Sequence, residues 1–226
     1  MKPLEVLYED NHLIVVNKPA GLLVQGDQTG DLCLIDVVKN YLKVKYKKPG
    51  AVFAGLIHRL DRPTSGCVVL AKTSKALTRM NKLFATRAVD KIYWALLPKS
   101  EIAAQGTLTH WLKKNQEQNK SFAYSDEQKD SKLAKLHYQT IQQFDRYQLL
   151  EITLETGRHH QIRAQMAAVG LPLKGDLKYG APRPNKDGSI DLHARKIRFE
   201  HPVKKEWLTI TAPLPNRSVW NSFVCD

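Results

Sequence analysis

His58-Arg59-Leu60-Asp61-Arg62-Pro63-Thr64-Ser65-Gly66 is followed at once by the apolar run Cys67-Val68-Val69-Leu70. The nine residues set one carboxylate between two guanidinium groups and end in turn formers, and the run after them reads as a strand. A loop held on a rigid element is where functional residues tend to sit, so the stretch is read as a candidate catalytic loop. The flanking arginines favour the ionised form of Asp61, which suits a nucleophile or base better than an acid. Taken alone, an aspartate between arginines is more often a structural ion pair at a tight turn. The decision has to come from the rest of the chain.

Upstream, Leu4 to Tyr8 and Leu13 to Val16 read as two strands joined at Glu9-Asp10-Asn11, and Asn17-Lys18-Pro19-Ala20-Gly21 breaks the pattern. Residues 31–43 carry Leu34, Ile35, Val38 and Leu42 near helical spacing, which predicts a surface helix with a basic side, ended by the lysine-rich loop Lys43 to Gly50. Downstream, Thr73 or Ser74 caps a helix with Leu77, Met80, Leu83 and Phe84 on one side. Ile92 to Leu97, Leu133 to Phe144 and Tyr147 to Thr156 are strand candidates, the last two a hairpin across Asp145-Arg146. A helix is expected from Gly157 to about Val169, stopped by Gly170, and strands at Ile197 to His201 and Trp207 to Ala212. Lys113 to Lys132, polar and rich in lysine, reads as a functional lid or a disordered loop, with a basic RNA-contacting loop the favoured reading. Strands mixed with helices point to an α+β chain.

The length of 226 residues at 42% hydrophobic composition fits a single domain over residues 1–226. Lys and Arg total 35 against 22 Asp and Glu, a net charge of +13 that favours nucleic acid as partner. Cys33, Cys67 and Cys225 form no pair at metal-ligand spacing, and their odd number argues against a disulfide framework. With neither a signal-peptide core nor a membrane-spanning run of about 18 apolar residues, a cytoplasmic protein without a membrane partner is expected.

The chemistry the residues allow is narrow. His58, His159, His160 and His193 raise a zinc hypothesis, but adjacent histidines on a helix diverge by about 100°, and neither HExxH nor CxxC is present. Ser65 lacks the glycine two residues earlier that a nucleophile elbow needs, since Pro63 stands there. No glycine-rich phosphate cradle occurs, so neither a metal nor a cofactor is expected. Gly157-Arg158-His159-His160-Gln161-Ile162-Arg163 places several donors at a strand end and first helical turn, suited to an anion.

Four blocks taken together carry a resemblance: His58-Arg59-Leu60-Asp61 with Thr64-Ser65-Gly66, Lys91-Ile92-Tyr93-Trp94-Ala95, the segment 157–163, and Leu192-His193-Ala194. In order and rough spacing they resemble the RluA family of pseudouridine synthases. Asn17-Lys18-Pro19-Ala20-Gly21 is similar to that family's early NKPxG, and Gly175-Asp176 through Tyr179-Gly180 to its GDxxYG. The resemblance spans about residues 5–214.

What the resemblance implies is a mixed, largely antiparallel sheet flanked by helices, and isomerisation of uridine in structured RNA, ribosomal or transfer, to pseudouridine. Asp61 would be the catalytic aspartate, either attacking the nucleotide or removing a sugar proton. Tyr93 would stack on the extruded uracil, Arg163 would pair with the aspartate, and Leu192 would pack on the base. Arg59 would fill the place the base leaves, with Arg158, His160 and Gln161 also binding substrate. Base flipping costs a few kcal/mol, which backbone contacts from a basic protein offset. With the expected opening hairpin at residues 4–16, the small N-terminal S4 domain of many relatives is not expected. A monomer acting on RNA and not DNA is expected. The rivals are a non-catalytic RNA-binding protein on the same fold and a metal-dependent nuclease, the latter short of clustered ligands.

Overall fold

Residues 3–28 and 30–222 are described in a computed structural model, so that Cys225 lies outside the described residues. In chain order the elements are β1 (Val6–Glu9), β2 (Leu13–Lys18), α1 (Leu34–Lys45), β3 (Gly55–Leu56), β4 (Ser65–Ala71), α2 (Ser74–Ala85) and β5 (Val89–Pro98). They continue with β6 (Gln105–Asn115), β7 (Lys120–Tyr124), β8 (Lys132–Gln143), β9 (Tyr147–Leu154), α3 (Gln161–Ala168), β10 (Leu192–Glu200) and β11 (Trp207–Thr211). The chain forms two compact units: Met1–Val89 with His193–Asp226, and Asp90–Leu192.

In the first unit Asp10 shapes the opening hairpin, its carboxylate accepting from the amides of His12 and Leu13 at 2.8 Å each. β1 pairs antiparallel with β2, and β2 with β4. β4 then meets β10 in a short parallel ladder, Ser65 opposite His193 and Gly66 opposite Ala194, and β11 returns antiparallel along β10. All seven residues of β4 are buried, as expected of a strand with neighbours on both edges and cover on both faces. Leu13, Val15, Cys67, Val69, Ile197 and Phe199 form one side of a core that Ala76 and Met80 of α2 complete. Thr73 caps α2, its hydroxyl accepting from Ala76 N at 3.2 Å, which contributes about 1 kcal/mol. α1 buries Leu34, Val38 and Leu42, one stripe at four-residue spacing.

The second unit is an antiparallel sheet in the order β5, β9, β8, β6, β7. Its β8–β9 hairpin turns at residues 144–147, where Phe144 N donates to Tyr147 O at 2.8 Å. Residues 113–132 are not one loop: residues 113–115 end β6, residues 116–119 make a turn with Asn119 in the left-handed region, β7 follows, and residues 125–131 connect it to β8. β6, unmarked in the sequence, alternates short polar side chains outward with Leu112 inward, and a half-exposed strand of this kind lacks an apolar run to reveal it. α3 packs Ala164 on Leu112 and Ala134 of this sheet.

The ladders within the two units are antiparallel except β4–β10, so the architecture is α+β with a mixed, largely antiparallel sheet, as the resemblance implies. Among the described residues no helix is long and apolar enough to cross a membrane.

Candidate active site

Asp61 and Arg59 lie in the first unit, and Tyr93, Arg158, His160, Gln161, Arg163 and Leu192 in the second. The nonapeptide loop leads into β4. Leu60 is buried, Asp61 half-buried, and Arg59 and Arg62 exposed. A tight turn closes the loop, Thr64 N donating to Asp61 O at 3.0 Å. Gly66 has φ 116, and a Cβ there would strike the Ala194 backbone, so the chain can enter β4 beside β10 only through glycine.

Two histidines hold this frame. His58 accepts the Val69 amide proton at Nε2 over 3.1 Å and stacks on Phe84 with ring centroids 5.0 Å apart. His193 is fully buried with Nδ1 2.8 Å from Ser65 Oγ, tying β10 to β4, and burial pushes its imidazole down to about 4. It is therefore neutral at pH 7.

Arg62 turns outward, its Nε donating to Gly21 O at 3.0 Å and its NH2 group 3.0 Å from the Asp31 carboxylate. Its backbone matters more. Arg62 O accepts from Gly21 N at 2.8 Å and from the buried Lys18 Nζ at 3.2 Å. Lys18 Nζ donates as well to Pro19 O and Leu22 O, at 3.0 and 2.8 Å. Three carbonyl acceptors use all three ammonium protons. Burial pulls Lys18 down to about 7, the Asp61 charge acting the other way. A lysine of Asn17-Lys18-Pro19-Ala20-Gly21 thus fixes the turn that presents Asp61.

In the second unit Tyr93 is buried on β5 opposite Ile152 of β9, and Leu192 is buried at the start of β10. The expected helix start at Gly157 shifts to Gln161, because His160 adopts φ 53 and ψ 26 and residues 158–161 form a turn closed by Gln161 N donating to Arg158 O at 3.2 Å. His159 and His160 therefore do not diverge along a helix: their rings stack at 3.8 Å, with His159 Nδ1 2.9 Å from Ser121 Oγ. Gln161 closes the turn, its Oε1 accepting from Thr156 Oγ1 at 2.8 Å and Arg158 N at 3.0 Å, and its Nε2 donating to Lys135 O at 3.1 Å. These bonds make Gln161 a framework residue. Arg158 Nε donates to Leu133 O at 3.0 Å.

Arg163, 5% exposed, sits on the first turn of α3 and grips Asp176, Nε to Oδ2 at 2.7 Å and Nη2 to Oδ1 at 2.8 Å. Its Nη1 donates to His160 Nε2 at 3.0 Å, and its guanidinium lies 5.0 Å over the Tyr179 ring. With Nε2 accepting, His160 carries its proton on Nδ1, 3.0 Å from Tyr179 Oη. That hydroxyl donates to Ser121 O at 3.1 Å and accepts from Ser121 N at 2.9 Å. Burial first, then the Arg163 charge, pushes His160 down to about 2, so it is a neutral relay that orients the guanidinium. Asp176 and Tyr179 come from Gly175-Asp176-Leu177-Lys178-Tyr179-Gly180, and Gly175, with φ 86, has no room for a Cβ beside the Asn185 side chain. Among the described residues no group of three or more His, Cys, Asp or Glu could hold a metal ion.

Residues 12–168 match the family model described as RNA pseudouridylate synthase. The chain belongs to that family. An uncharacterized RNA pseudouridine synthase of Synechocystis is 33% identical over 221 residues, covering 94% of this chain and 66% of its own length. The ribosomal large subunit pseudouridine synthase D of Pseudomonas aeruginosa is 33% identical over 235 residues, 96% of this chain and 70% of that protein. The chain spans about two thirds of the length of the curated relatives it matches. Among solved structures, human RNA pseudouridylate synthase domain containing 4 superposes with a TM-score of 0.77 at 26% identity, over 94% of this chain and 89% of that one.

Within a pseudouridylate synthase chain, Lys18, Asp176 and Tyr179 are the residues the sequence reading missed. Each lay inside a stretch noted for its resemblance, and its signal was a charged or hydroxyl-bearing residue between turn glycines and prolines.

Proposed function

We propose that the protein converts uridine in RNA to pseudouridine, with the Met1–Val89, His193–Asp226 and Asp90–Leu192 units serving one catalytic domain. The N1–C1′ bond of the target breaks, the uracil turns, and a C5–C1′ bond forms; C5 gives up its proton and N1 gains one, so substrate and product are isomers. The observation that carries this reading is the half-buried Asp61 carboxylate on a turn locked by Lys18 and Gly66, in a chain of this family. A rigid mount suits a carboxylate that must meet one sugar carbon or one sugar proton. Tyr93 stacks on the extruded base, Arg163 supports the ionised Asp61, and Leu192 packs on the uracil. Arg59, exposed and planar, fills the vacated stack. Arg158 contacts the RNA backbone, and His160 and Gln161 hold Arg163 and its turn in place.

The relatives named for the large ribosomal subunit make ribosomal RNA the substrate to try first. The protein works in the cytoplasm as a monomer, on RNA and not DNA, without metal or cofactor. Pseudouridine mapping on total RNA from cells with and without the gene names the site. Restoring Asp61→Asn should leave that site unmodified, with RNA affinity within about twofold of the parent because no phosphate contact is lost. A modified site in the Asp61→Asn cells, or no site lost on deletion, would refute the assignment.

A further inference from the structure

The C-terminal end of α1 carries a basic turn with no part in the chemistry above. Between Asp36 and Asp61 the chain has no acidic residue, while Lys39, Lys43, Lys45, Lys47, Lys48 and Arg59 all fall there. The helix closes by a paired arrangement of backbone bonds, Lys47 N to Val44 O at 3.2 Å and Lys48 N to Lys43 O at 3.0 Å. The left-handed residue this requires is Lys47, with φ 49. Glycine is favoured at that position, so the lysine is kept there against conformational strain.

Beside it stands Tyr46, 46% exposed yet fixed at its hydroxyl, which donates to Glu9 Oε1 at 2.7 Å and accepts from Lys72 Nζ at 3.1 Å. The ammonium groups of Lys72, Lys45 and Lys48 lie 4.6, 5.6 and 6.0 Å from its ring centre. Glu9 pairs with both Lys45 and Lys72, at 2.7 Å each, so the trio keeps one net positive charge. Lys43, Lys47 and Lys48 are exposed. An aromatic face held rigid and ringed by cations is the arrangement that stacks a base and neutralises the phosphates beside it. A lipid surface fits less well, because Val44 is the one aliphatic side chain among residues 43–48.

We propose that this turn, Tyr46 with Lys43, Lys47 and Lys48, is an RNA-docking surface that grips the substrate away from the uridine being modified. Asp61 precedes β4 and Lys72 follows it, so the strand separates the two places by roughly 20 Å. The inference rests on the pseudouridine synthase reading and adds to it the surface that selects the RNA.

The test compares the parent with the triple variant Lys43→Gln, Lys47→Gly, Lys48→Gln and with Tyr46→Ser, using ribosomal RNA from cells lacking the gene. Lys47→Gly relieves the left-handed strain, so thermal melting should show the triple variant as stable as the parent. Its affinity for the RNA should fall roughly tenfold, and the slope of log affinity against log salt should shrink by about 2, near 0.7 for each lost phosphate contact. Tyr46→Ser should weaken binding with little change in slope. Pseudouridine formation in a short oligonucleotide carrying only the target uridine should stay at the parent level. Parent-like affinity and slope in the triple variant, with the parent active, would overturn the docking surface alone. A lost affinity for phosphatidylglycerol vesicles with unchanged RNA binding would also overturn it. A parent that neither binds nor modifies the RNA would remove the synthase reading as well.

Discussion

Each unit of the molecule buries one cation beside its candidate residues, and the two are held by different means. Arg163 meets the Asp176 carboxylate through two parallel charge-assisted bonds, with His160 and Tyr179 beside it. Lys18 donates to the neutral carbonyls of Pro19, Leu22 and Arg62. A guanidinium keeps its charge at any relevant pH and fits a carboxylate fork, whereas an ammonium is a point charge that burial can discharge. The Arg163 arrangement is thus insensitive to pH near neutrality and depends on its partner. The Lys18 arrangement depends on pH and ties three stretches of backbone together.

The largest effect should come from removing the partner in the paired arrangement. Asp176→Ala takes a bidentate carboxylate from the buried Arg163 and should cost about 3–5 kcal/mol in urea unfolding. A cost under about 1 kcal/mol would mean that Asp176 is not what holds the guanidinium. Lys18→Met strands three carbonyls and should cost about 2–3 kcal/mol, together with much of the activity through a loosened Asp61 turn.

The same variant tests the difference in pH behaviour. Lys18 has a folded value near 7 against an ordinary 10.5, so between pH 7 and 9 the unfolded chain holds the proton that the folded chain has shed. Parent stability should therefore rise with pH across that window, by up to about 1.4 kcal/mol per unit, and the rise should vanish in Lys18→Met. Equal slopes in parent and variant would erase the contrast. Arg163→Lys, which replaces the fork by a point charge, should cost the least, about 1.5 kcal/mol in urea unfolding.

Much of this architecture was legible because burial leaves a pattern. The run into β4, the stripe of α1 and the β8–β9 hairpin all carry apolar spacing or turn residues that tertiary packing then used as expected. β6 and β7 were hidden because their solvent side is polar and their connecting turn, Gln116-Glu117-Gln118-Asn119, lacks a glycine. The start of α3 was missed by four residues, since no periodicity reports that His160 takes a left-handed conformation. Of the candidate residues, Asp61, Tyr93 and Arg163 stood out through the family blocks. What fixes them did not: the partners of Arg163 and Lys18 lie 13 and 44 residues away, and long-range electrostatics has no sequence period.

The short parallel ladder between β4 and β10 has a consequence for synthesis. Ser65 and Gly66 have left the ribosome well before His193 and Ala194 are made, a gap of 128 residues. At about 5–20 residues per second, one edge of β4 and the apolar face that Ile197 and Phe199 later cover wait roughly 6–25 s for their partners. The continuous stretch Asp90–Leu192 has everything it needs before the first unit does. The nascent chain therefore carries an open strand edge next to the candidate catalytic loop for most of its elongation.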